Sequence, residues 1–368
     1  MIEFNIINKD NKARRGTLKL QRGIIETPQF MPVGTQATVK ALKPEDLSSA
    51  GASIILVNAY HLYIRPGLDL IEKFKGVHGF MNWKAPILSD SGGFQVFSLS
   101  SLRKLSEEGV TFSTPVDGGK KHFISPEKAI AIQETLDTDI SMCFDECTPY
   151  PSTYEETKKS MELSLRWAER CKKAHIHKTQ SLWGILQGGM FEDLRSTSAK
   201  AMNVLDFEGY AIGGLGVGED KSATYKIINH TTPLMEEKKP RYLMGFGMPE
   251  DIIEGVNAGI DLFDCVIPTR NARHGKFYTS NGIIRIKNNK HRDETLPIDE
   301  KCSCYCCKNY SRSYIAHLLQ CEEVLGILLG SIHNTHYYLN LMKNIRTAIE
   351  NNLFLKFREE FYKSQILK

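Results

Sequence analysis

The sequence predicts an α/β fold in which eight parallel strands alternate with helices and close into a barrel. Three observations support this prediction. Eight short β-rich runs occur along the chain, helix-length segments separate them, and several runs are apolar almost throughout. The run Ser53–Asn58, for example, lacks the polar alternation of a half-exposed strand, which is typical of a strand buried on both faces.

Helix signals lie between the β-rich runs. Ser125 is placed to cap a helix that begins at Pro126, and Pro249 opens another helix that Gly259 closes. The eight predicted strands are Thr27–Val33, Ser53–Asn58, Pro86–Asp90, Asp139–Asp145, Leu182–Gln187, Tyr210–Gly214, Arg241–Gly245 and Leu262–Ile267.

A doubly wound open sheet is the alternative arrangement of such elements. That fold usually has a glycine-rich phosphate-binding turn after its first strand, whereas the segment after Val33 contains a single glycine, Gly34. A closed barrel also leaves no strand edge exposed. The pattern therefore favours a (β/α)8 TIM barrel.

Two stretches of the sequence are longer than the strands and helices of the barrel require. The long connection 91–138 contains the β-rich runs Val110–Phe112 and Lys121–Phe123 around an Asp-Gly-Gly turn, which predicts an inserted hairpin. Beyond residue 267 the chain continues through a cysteine cluster into helical segments. We predict a barrel with the active site at residues 1–268, and a basic strip, a metal-binding block and C-terminal helices packed on the barrel at 269–368.

Composition restricts the class of protein. The 368 residues are 41% hydrophobic and 24% charged, which is typical of a globular protein. No run of eighteen apolar residues predicts a membrane span, and the first residues lack the basic and apolar regions of a secretory signal, so we expect a cytoplasmic protein without a membrane partner. The net charge of +4 is too small to imply a polyanionic partner by itself.

The nine cysteines indicate a metal site more than a disulfide framework. An odd count without a signal peptide argues against structural disulfides, and four of the nine fall within Cys302–Cys307.

Polar residues end most of the predicted strands, at the side of the barrel where such enzymes carry their chemistry. No histidine terminates a strand, which disfavours a catalytic metal. Two carboxylates suit chemistry at a glycosidic bond, where one attacks the anomeric carbon and the other transfers protons. The remaining polar groups could read the edge of a flat ligand such as a purine, with Phe94 and Met244 against its ring. The strand-end residues are Asn58, Asp90, Asp145, Gln187, Gly214, Gly245 and Asp264.

Several long motifs resemble those of bacterial tRNA-guanine transglycosylases, also called queuine tRNA-ribosyltransferases. The resemblance covers nearly the whole chain, from about Gly16 to the C-terminal helices, with the motifs in the family's order. The matching segments are Asp90–Phe97, Phe144–Cys147, Gln187–Gly189, Gly213–Glu219, Tyr242–Gly245, Phe263–Arg270 and the cysteine block that ends at Cys307.

The resemblance assigns roles to these residues. It implies that Asp264 is the nucleophile on the ribose of the wobble guanosine of a tRNA with a GUN anticodon, and that Asp90 is the general acid and base. The incoming base is a 7-deazaguanine. The residues that this resemblance places around the base are Phe94, Asp145, Gln187, Gly214, Leu215 and Met244.

Three positions bear on which base is used. Phe94 stands where tyrosine is frequent in the family, and Gly216 where alanine or serine is usual. Val217 occupies a position at which the queuine-using eukaryotic relatives have glycine. Val217 and the nearby Cys147 favour the smaller base 7-aminomethyl-7-deazaguanine (preQ1) over queuine.

The resemblance also implies one structural zinc ion and an RNA-binding strip. Its zinc ligands would be Cys302, Cys304, Cys307 and His333, although spacing alone leaves Cys306 as a possible replacement for a neighbour. Between residues 270 and 292 there are seven Lys or Arg residues and no acid, which favours contact with an RNA backbone. Arg270 and Arg273 would contact the uridines beside the target guanosine.

The leading hypothesis is an enzyme that exchanges guanine for preQ1 in tRNA. The alternatives are a queuine-using salvage enzyme, a retaining glycosidase or nucleoside hydrolase, and a non-catalytic RNA-binding subunit. A hydrolase of small substrates leaves the basic strip and the cysteine block unexplained, and the presence of both Asp90 and Asp264 argues against a non-catalytic subunit. The family suggests a homodimer.

Overall fold

The computed structural model describes residues 2–99 and 103–366, and the strands in these ranges form four sheets. Eight strands form a parallel barrel, and the others form two three-stranded sheets and one hairpin. The strands are β1 (Glu3–Asp10), β2 (Ala13–Leu20), β3 (Gly23–Thr27), β4 (Gln29–Pro32), β5 (Ile55–Val57), β6 (Ile87–Ser89), β7 (Arg103–Leu105), β8 (Val110–Ser113), β9 (Lys121–Ile124), β10 (Ile140–Met142), β11 (Ser181–Leu186), β12 (Gly209–Ile212), β13 (Arg241–Leu243), β14 (Leu262–Cys265), β15 (Lys276–Thr279) and β16 (Gly282–Arg285).

The barrel strands follow one another around the axis in the order β4, β5, β6, β10, β11, β12, β13 and β14. β14 pairs directly with β4, and the ring closes between β4 and β5, where Val33 pairs with Leu56. Each of these eight strands coincides with one of the eight runs expected from the sequence. The predicted TIM barrel is therefore confirmed.

Burial on both faces explains why the strands are apolar runs. All residues of β5, β6, β11 and β12 are buried. Side chains such as Met142 and Trp183 fill the barrel interior, whereas Ile55 and Ile87 belong to a second core cluster that also includes side chains from the surrounding helices. A strand packed on both sides has no face on which polar residues are favourable.

Two helices have boundaries that were predicted from the sequence: one begins at Pro126, and the other begins at Pro249 and ends just before Gly259. The Ser125 hydroxyl accepts a hydrogen bond from the Lys128 backbone amide, and Gly259 takes the left-handed conformation, with φ +96°, just after a helix ends. The helices are α1 (Pro44–Ala50), α2 (Ala59–Ile64), α3 (Leu68–Lys73), α4 (Val77–Met81), α5 (Gly93–Leu99), α6 (Pro126–Leu136), α7 (Tyr154–Ala174), α8 (Glu192–Leu205), α9 (Lys221–Thr231), α10 (Pro249–Ala258), α11 (Ile267–Arg273), α12 (Tyr305–Asn309), α13 (Arg312–Gln320), α14 (Val324–Glu350) and α15 (Phe354–Ile366). No helix within the described ranges is long and apolar enough to cross a membrane.

An N-terminal sheet that the sequence did not predict closes the amino-terminal end of the barrel. Strands β1, β2 and β3 are antiparallel, and Leu18 and Ile25 pack in the same cluster as Ile140 and Leu262, the first residues of two barrel strands. A buried ion pair between Arg14 of β2 and Asp261, just before β14, joins this sheet to the barrel.

The insertion after β6 is a sheet of three strands, not two. β8 and β9 pair as the predicted hairpin, and β7, which was not predicted, pairs with β8. The Trp167 indole of α7 donates a hydrogen bond of 2.8 Å to the Glu107 carbonyl in the turn between β7 and β8, which fixes the insertion against the outside of the barrel.

The C-terminal region packs against the barrel through the long helix α14. This helix contacts α1, α11, β1 and β4. The hairpin of β15 and β16 precedes it and was not predicted. The functional division of the chain at residue 268 stays a prediction.

Candidate active site

The carboxyl-terminal ends of the barrel strands surround one cavity of about 480 Å³. The structure therefore brings together residues that lie up to about two hundred positions apart in the sequence. Of the predicted site residues, those that line this cavity are Asp90, Phe94, Asp145, Gln187, Gly214, Leu215, Met244, Asp264 and Arg270.

Asp264 belongs to β14 and lies in the wall of the cavity. Its Oδ1 accepts two hydrogen bonds of 2.6 Å, from the Tyr242 hydroxyl and from the Gly245 backbone amide. Burial raises the pKa of Asp264, and these two donors oppose the rise. Among the described residues, no donor engages Oδ2, which leaves that oxygen for a ligand.

Asp90 follows β6 and is buried. Its Oδ1 accepts from the Ala59 backbone amide at 2.9 Å, and its Oδ2 accepts from the Asn58 side-chain amide. Burial raises the pKa of Asp90 to about 6, and the negative charge of Asp264 contributes to the rise, while hydrogen bonds from Asn58, Ala59 and Gln95 oppose it. A carboxyl group with this pKa can both hold and release a proton near neutral pH.

Asp145 and Gln187 form a polar pair on another side of the cavity. The Gln187 Nε2 donates to Asp145 Oδ2 at 2.7 Å, and the Ser91 hydroxyl donates to Oδ1 at 3.0 Å. Burial raises the pKa of Asp145 to about 6, against these hydrogen bonds. Gly214 has φ +65°, and a Cβ there would lie 2.2 Å from Gln187 Oε1. Only glycine lets the backbone approach the amide so closely.

The loop that contains Gly216 and Val217 lines one part of the cavity, and its backbone is hydrogen-bonded to Glu219. The Glu219 carboxylate accepts hydrogen bonds from the backbone amides of Gly216, at 2.5 Å, and Val217, at 2.9 Å. Cys147 lines the same cavity. The two hydrogen bonds to Glu219 restrain the peptide groups on both sides of Gly216, so they limit the backbone freedom that this glycine adds beside Val217.

The two predicted RNA-contacting arginines lie on α11, directly after β14. Arg270 is exposed and lines the cavity, whereas Arg273 is half-buried and donates to the Thr269 carbonyl at 3.3 Å. Helix α11 thus begins three residues after Asp264 and carries the first two cations of the basic strip, residues 270–292.

The four predicted metal ligands converge in the C-terminal region. One donor atom from each of Cys302, Cys304, Cys307 and His333 lies within 4.8 Å of the others, and His333 Nδ1 is 3.2 Å from Cys307 Sγ. Tetrahedral zinc with such ligands separates its donor atoms by about 3.5–3.8 Å. His333 Nε2 donates to the Tyr278 carbonyl at 2.8 Å, which leaves Nδ1 for a metal and orients the ring. Cys306 is buried outside this group.

Three residues in the site were not assigned a role from the sequence. Tyr242, Asn58 and Ser91 donate hydrogen bonds to Asp264, Asp90 and Asp145. Asn58 was recognised as a strand end, but a tyrosine inside an apolar strand is indistinguishable from a core residue without its spatial neighbours.

Comparison with known proteins agrees with the motifs. A family model described as queuine tRNA-ribosyltransferase matches residues 9–366. A queuine tRNA-ribosyltransferase of Francisella tularensis subsp. novicida (strain U112) is 53% identical over 361 residues, which are 98% of each chain. One of Shewanella sediminis (strain HAW-EB3) is 52% identical over 366 residues, which are 99% of this chain and 97% of that relative. The chain therefore belongs to the queuine tRNA-ribosyltransferase family and is a tRNA-guanine transglycosylase enzyme.

Proposed function

We propose that this enzyme replaces guanine at the wobble position of tRNAs with a GUN anticodon by preQ1, in the biosynthesis of queuosine. The reaction is a double displacement through a ribosyl ester of Asp264. The observation that carries the proposal is the difference in hydrogen bonding between the two carboxylates. Both donors to Asp264 engage Oδ1 and leave Oδ2 for attack, whereas Asp90 has a donor on each oxygen.

In the first displacement, Asp264 Oδ2 attacks C1′ of the ribose and the bond from C1′ to guanine N9 breaks. The departing base takes the bonding electrons, and Asp90 supplies the proton that it needs. In the second displacement, Asp90 removes a proton from the incoming base, whose N9 attacks C1′ and releases Asp264 as a carboxylate. Two inversions retain the configuration at C1′. The pKa of about 6 for Asp90 supports both of its proton transfers.

The polar side of the cavity supports recognition of a guanine-like edge. Asp145 can accept from the N1–H and the exocyclic amine, and Gln187 together with the backbone amides near Gly214 and Leu215 can donate to the carbonyl oxygen. Phe94 and Met244 are proposed to contact the two faces of the base. Val217 lines the cavity, and its backbone amide is hydrogen-bonded to Glu219. Its side chain there supports use of preQ1 over the bulkier queuine.

We also propose that the cysteine and histidine group holds one structural zinc ion per chain. Three thiolates and one imidazole leave no open coordination position, so the ion contributes to folding and not to chemistry. Arg270 and Arg273 are proposed to contact the anticodon loop. The homodimer that the family suggests stays a prediction.

The test is base exchange into an anticodon stem-loop RNA, with adducts detected on a denaturing gel. The wild-type enzyme should incorporate labelled preQ1 and show an RNA adduct that resists denaturation. Asp264→Asn should do neither, whereas Asp293→Asn, a matched change at an exposed aspartate outside the cavity, should behave as the wild type. An adduct that persists in Asp264→Asn would place the nucleophile elsewhere.

A further inference from the structure

A second cavity, of about 310 Å³, lies on the hairpin of β15 and β16, outside the cavity that contains the carboxylates. We propose that it binds a phosphate group of the tRNA backbone, at a point beyond the contacts of Arg270 and Arg273. The proposal rests on the proposed tRNA substrate and adds a site to it. The lining residues are Lys276, Ile283, Ile284, Arg285, Asn288, Lys290 and His291.

Three cations of this cavity lack counterions. Lys276 and Arg285 are direct partners across the hairpin, and Lys290 lies a few residues further on. None of the three forms an ion pair with any residue that the structure describes. Because like charges directly opposite each other destabilise a pair of strands, this arrangement is unfavourable until an anion lies between them.

A buried imidazole nitrogen provides an independent observation. The His291 side chain is 2% exposed, and its Nδ1 lies 2.7 Å from Glu294 Oε2, so Nδ1 is the donor to that carboxylate. Its Nε2 is buried and has no hydrogen-bond partner. With Nδ1 donating to Glu294, Nε2 can donate to an oxyanion when the ring carries both protons, a form that the Glu294 carboxylate and a bound phosphate both favour. Glu294 also pairs with Arg312, which leaves the cavity positive.

The geometry suits a phosphate oxyanion. The two isoleucines that line the cavity provide an apolar wall, which strengthens the field of the cations. Lys276 lies three residues after Arg273, a span of at most about 11 Å along the chain. A nucleic acid strand that contacts α11 therefore needs only a short path to place one of its phosphates here.

The test compares variants that remove equal charge inside and outside this cavity. Lys276→Gln/Arg285→Gln removes two lining cations, and the control Lys287→Gln/Arg292→Gln removes two exposed cations of the same strip that do not line it. Affinity for full-length tRNA is measured by fluorescence anisotropy over a range of salt concentrations, which requires no base exchange. We expect the cavity variant to bind roughly tenfold more weakly and the slope of log affinity against log salt to fall by about 1. The control should lose at most about threefold.

A third variant tests the orphaned nitrogen without a change of lysine or arginine. In His291→Asn, the side-chain amide can still donate to Glu294, but the Nε2 position is lost. We expect weaker tRNA binding, measured well below the melting temperature because the smaller side chain at this buried position also lowers stability. Unchanged tRNA binding in this variant would remove the imidazole from the proposed site.

The possible results separate the sources of the phosphate. Equal losses in the cavity variant and its control would show a diffuse basic surface and overturn the proposal. Inorganic phosphate, followed by 31P NMR, should also bind the wild type and not the cavity variant. If the cavity variant loses phosphate but keeps full tRNA affinity, the site holds a free anion and the assignment to tRNA is wrong. Failure of the wild type to bind tRNA would overturn the proposed function as well, whereas variants that bind like the wild type overturn this site alone.

Discussion

The hydrogen bond from Tyr242 to Asp264 predicts a pH-dependent loss of activity in Tyr242→Phe. The Tyr242 hydroxyl lies 2.6 Å from Asp264 Oδ1 and stabilises the carboxylate that we propose as the nucleophile. Burial already raises the pKa of Asp264, and the phenol is one of the two donors that oppose this rise. Removal of the donor therefore favours the protonated, unreactive carboxyl group.

The magnitude follows from the energy of one hydrogen bond to a charged group, about 1.5 kcal/mol when a second donor remains in place. Since 1.36 kcal/mol corresponds to one pH unit, the acid limb of the profile of kcat/KM should move to higher pH by about one unit. Activity should fall roughly tenfold at the acidic end of the profile. The fall should become smaller as the pH rises, because a larger fraction of the carboxyl group is then ionised in either protein.

The matched control is Tyr210→Phe. Tyr210 is also a buried barrel tyrosine, but its hydroxyl donates to the Met202 carbonyl at 3.3 Å and it does not line the active-site cavity. The assay is base exchange into stem-loop RNA between pH 5 and 9. An unchanged acid limb in Tyr242→Phe, or an equal shift in Tyr210→Phe, would refute the reasoning.

Three further predictions concern selectivity, the metal and the cost of the buried carboxylates. Val217→Gly should shift the competition between preQ1 and queuine towards queuine by roughly tenfold, because a packed side chain can raise the binding free energy of a larger base by about 1–3 kcal/mol. An unchanged ratio would show that other residues set the selectivity. Cys302→Ala should lose the zinc found by metal analysis and lower the free energy of unfolding by about 3 kcal/mol or more, whereas Cys321→Ala, outside the ligand group, should do neither. Asp145→Asn should abolish use of guanine and raise the melting temperature; a lower melting temperature would contradict the assigned cost of burial.

Most of the fold could be predicted because double-sided burial leaves a strong sequence signal. The N-terminal sheet lacked that signal. β1 is alternately exposed and half-buried, its register with β2 shifts between Ile6 and Asn8, and its sequence is mostly polar. A strand stabilised mainly by antiparallel pairing with β2 does not need an apolar run.

The site was predictable where its residues fall at strand ends, and less so where it depends on contacts across the barrel. The sequence identified Asp90 and Asp264 as candidates. Their donors, however, lie in or directly after the neighbouring strands β5 and β13, and strand neighbourhood is known only from the folded sheet. The cysteine block shows the same limit. Spacing left Cys306 open as a ligand, and the three-dimensional arrangement excludes it from the donor group of the described residues.

The raised pKa values of the cavity carboxyl groups imply a cost in folding free energy. For Asp90 and Asp145, the pKa rises from 3.8 to about 6, so ionisation of each in the folded protein costs about 3 kcal/mol at neutral pH. The folded state binds these protons more tightly than the unfolded state. This unfavourable contribution to the free energy of folding is therefore fully present above about pH 6 and disappears as the pH falls towards 4.

Two such groups together cost about 6 kcal/mol, which is comparable with the whole stability of many domains. The ribosyl ester that we propose must be protected from water, because hydrolysis would compete with attack by the new base. Core packing of the barrel and the zinc ion that we propose would stabilise the chain through residues that do not line the cavity. This separation lets the strand ends keep carboxylates whose proton affinity suits the exchange of one base for another.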